Sequence, residues 1–128
     1  MSMKPRAFAD FEVATHSSIQ AECPEPGVVR RVGAGNENLL VVENRMVGGY
    51  AGARHSHPHD QVVYVISGHV SVMSAGQSFE LHVGESFAVR GGIEHQVTAI
   101  SDSVVLDVFS PCRYDFLQAA RNTDPRPR

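Results

Sequence analysis

Gly49-Tyr-Ala-Gly-Ala-Arg-His55-Ser-His57-Pro-His59-Asp-Gln61, closed by Gly68, is the stretch on which the fold turns. It sets three imidazoles and a side-chain amide at alternating positions over seven residues. Successive side chains of a β-strand point to opposite faces, so a straight strand here puts His55, His57, His59 and Gln61 on one face. Three histidines on one side of a strand are a costly way to build a core, because every buried polar nitrogen needs a partner. Convergent neutral imidazoles are what a divalent transition ion requires. A further nitrogen is expected from a separate segment, and His95 is the candidate. The stretch predicts a metal centre inside a β-barrel.

Outward from it, the punctuation is that of an all-β domain. Beyond Gln61, short β-rich runs follow at 62–67, 69–74, 77–82, 86–89, 96–100 and 104–109. Ser67-Gly68, Ala75-Gly76, Val83-Gly84, Gly91-Gly92 and Ser101-Asp102 separate them. Many short strands at this spacing, without intervening helices, indicate an antiparallel sandwich or barrel. Upstream, runs at 28–32 and 37–47 flank Gly33-Ala-Gly-Asn36, which reads as a hairpin turn. Residues 1–27 read as an irregular N-terminal arm. In it Phe8, Phe11 and Val13 can lie across a neighbour, and Cys23-Pro-Glu-Pro-Gly27 is a turn-rich break. After Ser110-Pro111 the period changes, and 114–121 predicts a short helix with Phe116, Leu117 and Ala120 toward the body. The remainder from Asn122, with Pro125 and Pro127, reads as a loose tail.

A chain of 128 residues with 42% hydrophobic content is one compact domain able to bury a core. A formal charge of −3 and the lack of any basic run argue against a nucleic-acid surface. The first ten residues contain no apolar h-region, and no apolar run reaches membrane-spanning length. Cys23 and Cys112 lie far apart in a domain that needs no staple, so both are read as reduced thiols of a cytoplasmic protein.

As spacing, the chain carries Gly49-x5-His55-x-His57-x3-Gln61-x6-Gly68, then Gly84-x5-Arg90-x-Gly92-x2-His95. This resembles the two-motif signature of the cupin superfamily. Gln61 stands where that family usually has Glu, Arg90 where it has Pro, and Ala99 where many members carry Asn. The resemblance implies a jelly-roll or double-stranded β-helix barrel with a short C-terminal helix. The cupin domain would span 28–113, with the arm at 1–27 and the helix and tail at 114–128. It also implies a single divalent ion (Zn, Ni, Mn or Fe) held by His55, His57, Gln61 and His95. On strand parity alone His59 rivals Gln61, unless Pro58 bends the chain between them. With Gln in place of Glu the protein ligands are all neutral, so the ion keeps its full charge. That favours Lewis-acid work on an anionic substrate over oxygen chemistry.

The run Val104-Val-Leu-Asp107-Val-Phe109-Ser-Pro-Cys112-Arg113-Tyr-Asp-Phe-Leu117 is the second informative stretch. Its alternation places Ser103, Val105, Asp107 and Phe109 on one face. A carboxylate within an apolar strand either faces a polar cavity, as an acid/base, or pairs with Arg30, Arg31 or Arg113. Together with His55 to Gly68, Gly27-Val-Val-Arg-Arg-Val and Gly35-Asn-Glu-Asn-Leu, this run is similar to the small pectin-degradation cupins of the KdgF type. Cys112 departs from their usual second Pro. Those enzymes open 4,5-unsaturated uronate monosaccharides to the linear 5-keto-4-deoxyuronate. The resemblance implies Asp107 as acid/base, Phe109 as a pocket-shaping residue and Arg113 as partner of the substrate carboxylate. Arg113 also reads as a solvated residue at a helix start. Two other functions stay open: a sugar- or metal-binding cupin without turnover, and a metal-dependent dioxygenase. A homodimer, with Phe8 and Phe11 crossing to the second subunit, is expected by analogy with other cupins.

Overall fold

The computed structural model describes residues 8–123. Its elements are β1 (Ala21–Glu25), β2 (Val28–Asn36), β3 (Leu39–Met46), β4 (Asp60–Ser67), β5 (His69–Ser74), β6 (Gln77–His82), β7 (Ser86–Val89), β8 (His95–Ala99), β9 (Ser103–Ser110) and helix α1 (Tyr114–Thr123). The strands pair antiparallel in a six-stranded sheet, ordered β1-β2-β3-β9-β4-β7, and a three-stranded sheet, ordered β6-β5-β8. This is the antiparallel double sheet that the turn spacing predicts and the jelly roll that the cupin resemblance implies. The expected loose tail lies outside the described residues beyond 123, as does the side chain of Ala120. Among the described residues, no helix is long and apolar enough to cross a membrane.

Alternation decides which face each strand buries. β4 turns Gln61, Val63 and Val65 inward and Val62, Tyr64 and Ile66 outward. β9 does the same with Ser103, Val105, Asp107 and Phe109 inward. Between the sheets, Val63, Val65 and Val105 of the larger pack with Val70 and Ala99 of the smaller. A second cluster, Phe8, Val32, Leu40, Val42, Phe109 and Cys112, is closed by Phe116 and Leu117 of α1. Each fully buried Val or Leu contributes roughly 1.5–3 kcal/mol relative to exposure, so these clusters hold the sheets together. Gly68 makes the tight β4–β5 turn at φ +89, where an added Cβ would stand 2.3 Å from the Asp102 carbonyl oxygen.

Three expectations are corrected. The break at 23–27 is partly strand: β1 includes Pro24, tolerated because β1 is a sheet edge and its register with β2 shifts between Glu22 and Glu25. Gly33-Ala-Gly-Asn36 is not the hairpin turn but the end of β2, and the reversal falls at residues 37–38. The glycines serve close approach instead, since a Cβ on Gly35 would lie 2.5 Å from the Leu39 carbonyl oxygen. Phe8 is buried beside Val32, Leu40 and Phe109 of its own chain, whereas Phe11 is 84% exposed. The histidine stretch is not one straight strand: β4 begins only at Asp60.

Candidate functional site

Residues 49–55 run antiparallel along β8 as a sparse fourth partner of the smaller sheet. Gly49 and Gly52 donate to the Ala99 and Val97 carbonyls at 2.8 and 3.0 Å. His55 and His95 exchange both backbone bonds, at 3.1 and 2.9 Å, so they are direct cross-strand partners. The chain then bends at Pro58 and enters β4 in the larger sheet, bringing Gln61 inward. The His-x-His-x3-Gln spacing thus spans the gap between two sheets and does not follow one strand. The bend is tied to the second motif. Gly92 N donates to the His57 carbonyl at 2.7 Å, Gly91 N to Asp60 Oδ1 at 2.8 Å, and Gly91 packs where a Cβ would meet the Pro58 oxygen at 2.3 Å.

The result is convergence of His55, His57 and His95, whose ligand atoms lie within 4.8 Å of one another. His59 stands outside this group, with its ring 6.4 Å from that of Phe109. Each of the three imidazoles has Nδ1 at a backbone carbonyl: His55 at Ala53 (2.9 Å), His57 at His59 (3.0 Å) and His95 at Ile93 (2.9 Å). Donation to these carbonyls fixes the tautomer and leaves every Nε2 as a bare lone pair. Burial holds the pKa of His57 and His95 below the ordinary value, which favours the neutral rings.

Gln61 completes the set. Its Nε2 donates to Asp107 Oδ1 at 3.1 Å, which turns Oε1 toward the rings, 2.9 Å from His57 Nε2 and 3.1 Å from His95 Nε2. Ring nitrogens and amide oxygen are then all acceptors with no proton to share, an arrangement that a cation resolves. The donor set, nitrogen-rich and neutral, fits one divalent transition ion.

Asp107 is buried in the lumen and accepts from Asn44 Nδ2 as well as Gln61. Burial pushes its carboxyl up to about 6, against those two bonds and the charge of Arg113, which favour the anion. A carboxyl poised there both takes and gives a proton near neutral pH. Among the described residues it forms no ion pair with arginine: Arg30 pairs with Glu22 at 2.8 Å, Arg113 with Asp115 at 2.7 Å, and Arg31 donates to the Ile19 carbonyl at 3.4 Å.

A lumen cavity of about 220 Å3 joins these groups, touching His55, Gln61, His95, Asp107, Phe109 and Arg113. Arg113 is no solvated residue: its side chain is 11% exposed, and its guanidinium lies 3.8 Å from the Phe116 ring centroid and 4.9 Å from that of Phe109. The cavity therefore assembles all seven residues singled out from the sequence, except that His57 stands behind it among the ligand atoms. Asn44, which was missed, and Arg30, which was considered only as a partner of Asp107, also line it. The signal was present: Arg30 shares strand parity with Val28 and Val32, and Asn44 with Val42 and Met46, so both point inward among buried neighbours.

Comparison with known proteins agrees. The Cupin domain family matches residues 41–109. The pectin degradation protein KdgF of Dickeya dadantii is 33% identical over 93 residues, covering 71% of this chain and 84% of that protein. The structure of KdgF from a Halomonas species superposes with a TM-score of 0.78 at 31% identity, covering 82% of this chain and 99% of that one. An RmlC-like cupin from Shewanella frigidimarina gives a TM-score of 0.78 at 29% identity, covering 84% and 96%. The chain belongs to the cupin family and, within it, to the KdgF type.

Proposed function

We propose that this cupin opens the ring of 4,5-unsaturated uronate monosaccharides to 5-keto-4-deoxyuronate. The observation that carries the proposal is the Gln61–Asp107 hydrogen bond, which joins a buried carboxyl to the neutral donor set across one cavity, in a chain of the KdgF type. The substrate is a cyclic hemiacetal whose ring oxygen is also an enol ether. Asp107 takes the anomeric hydroxyl proton, the anomeric carbon becomes a carbonyl, and its bond to the ring oxygen breaks. The ring oxygen leaves as an enolate, whose carbon end takes back the proton that Asp107 removed to give the ketone, so the reaction is an isomerisation with no net gain or loss. His55, His57, Gln61 and His95 would hold a divalent ion, which would supply Lewis-acid stabilisation of the oxygen that gains charge. Arg113 and Phe109 both border the cavity, which supports a role for the first in meeting the substrate carboxylate and for the second in walling its ring.

Incubation of the metal-loaded protein with unsaturated galacturonate should abolish the ultraviolet absorbance of the C4=C5 bond. Unchanged absorbance at high enzyme concentration would leave a binding cupin, and oxygen uptake coupled to substrate loss would indicate a dioxygenase.

A cytoplasmic homodimer belongs to the same proposal. An exposed thiol at Cys23 suits a reducing compartment. The outward face of the larger sheet leaves Val62, Tyr64 and Ile66 exposed beside Val108, paired with Val62 across β4 and β9. Light scattering should give twice the 13.9 kDa chain mass, and a monomer would remove the homodimer.

A further inference from the structure

We propose that Arg30 is a second guanidinium of the substrate site, that it supplies the bidentate contact to the uronate carboxylate, and that it thereby selects acidic over neutral sugars. The inference rests on the ring-opening proposal for the identity of the substrate, though not for the existence of an anion site.

The two arginines of the cavity are committed differently. Arg113 spends the Nε/Nη2 side of its guanidinium on Asp115, at 2.9 and 2.7 Å. Arg30 gives only Nε, to Glu22 Oε1 at 2.8 Å. Its Nη1 and Nη2 make no hydrogen bond among the described residues, although the side chain is only 14% exposed and borders the cavity. A nearly buried guanidinium with its terminal pair of donors open is a fork awaiting two oxygens in one plane, and a carboxylate presents them. The charge is anchored on every side. Glu22 is the direct cross-strand partner of Arg30 in the β1–β2 ladder, with its side chain 7% exposed. The Phe116 ring centroid lies 4.0 Å from the Arg30 guanidinium and 3.8 Å from that of Arg113. Both cations therefore stack on one aromatic ring that borders the cavity. Glu25, another carboxylate on this wall, is taken by the Tyr50 hydroxyl and does not compete for Arg30.

The test is calorimetric titration of the zinc-loaded protein with D-galacturonate, which lacks the reactive double bond, and with D-galactose. Galacturonate should bind the natural protein more tightly than galactose. Arg30→Gln should weaken galacturonate binding by about 10- to 100-fold with galactose binding and metal content unchanged. Arg30→Lys keeps the charge and the Glu22 pair but not the fork, and should recover only part of the affinity, which guards against misfolding of the Gln variant. Galacturonate affinity unchanged in both variants would overturn the inference, as would a natural protein that does not distinguish the two sugars. Arg30-dependent galacturonate binding without turnover of the unsaturated sugar would sink the ring-opening proposal alone. Turnover with an unaltered KM in Arg30→Gln would sink this inference alone.

Discussion

Asp107→Asn should lower kcat by about 10²- to 10⁴-fold, the range set by loss of a positioned acid/base, while the protein keeps its metal. The substitution preserves volume and leaves untouched the three imidazoles that could hold the ion, so metal content should be retained. What it removes is the group able to exchange a proton. The carboxyl that burial raises to about 6 becomes an amide that does not titrate. Structure is affected too, because Asn presents one acceptor where Asp107 receives two donors, Asn44 and Gln61. One of those donors loses its partner, at a cost of about 1–3 kcal/mol. The two effects separate in the readout. A purely structural role would lower the unfolding midpoint and leave kcat per folded molecule unchanged, and that outcome would remove Asp107 from the chemistry.

The second large effect concerns the ion. Removing it with a chelator should lower Tm markedly, and restoring it should return Tm. A ligand that binds only the native state at a thousandfold excess over its Kd contributes about 4 kcal/mol. For a domain of this size that is on the order of 10 °C. His95→Ala should abolish both metal uptake and the metal-dependent rise, because its Nε2 is one of three that converge. His59→Ala should keep metal uptake, since that ring stands outside the group. Metal loss in His59→Ala together with retention in Gln61→Ala would reverse the assignment of the fourth ligand. Elemental analysis of the purified variants decides between them.

Much of this architecture was legible because its turns carry chemical signatures. Gly68, Gly76, Gly84 and Gly92 all adopt positive φ where the sequence places a turn, and the strands between them need little else to be found. The inward face of β9 was legible for the same reason, since strict alternation survives from Ser103 to Phe109. Legibility fails where one residue type serves two physical ends. Gly33 and Gly35 look like turn residues, yet they let backbone and side chains of β3 approach. Pro24 looks like a break, yet an edge strand has no use for the donor it lacks. The histidine stretch misled differently. Parity assumes one sheet, and between His55 and Gln61 the chain changes sheets. Family spacing therefore pointed to Gln61, where alternation alone could not separate it from His59. Arg30 and Asn44 were within reach of the parity argument and needed only to be asked why polar groups sat between Val and Met.

The ties that clamp residues 57–60 onto 91–92 leave the cage without a hinge. Its outline is held by contacts of the chain with itself, which give it little means of rejecting a wrong guest by changing shape. Among first-row ions, affinity for such nitrogen-rich cages follows a fixed chemical series, and selection passes to supply. The element found in a purified sample would therefore record the medium in which the cells grew as much as the preference of the protein.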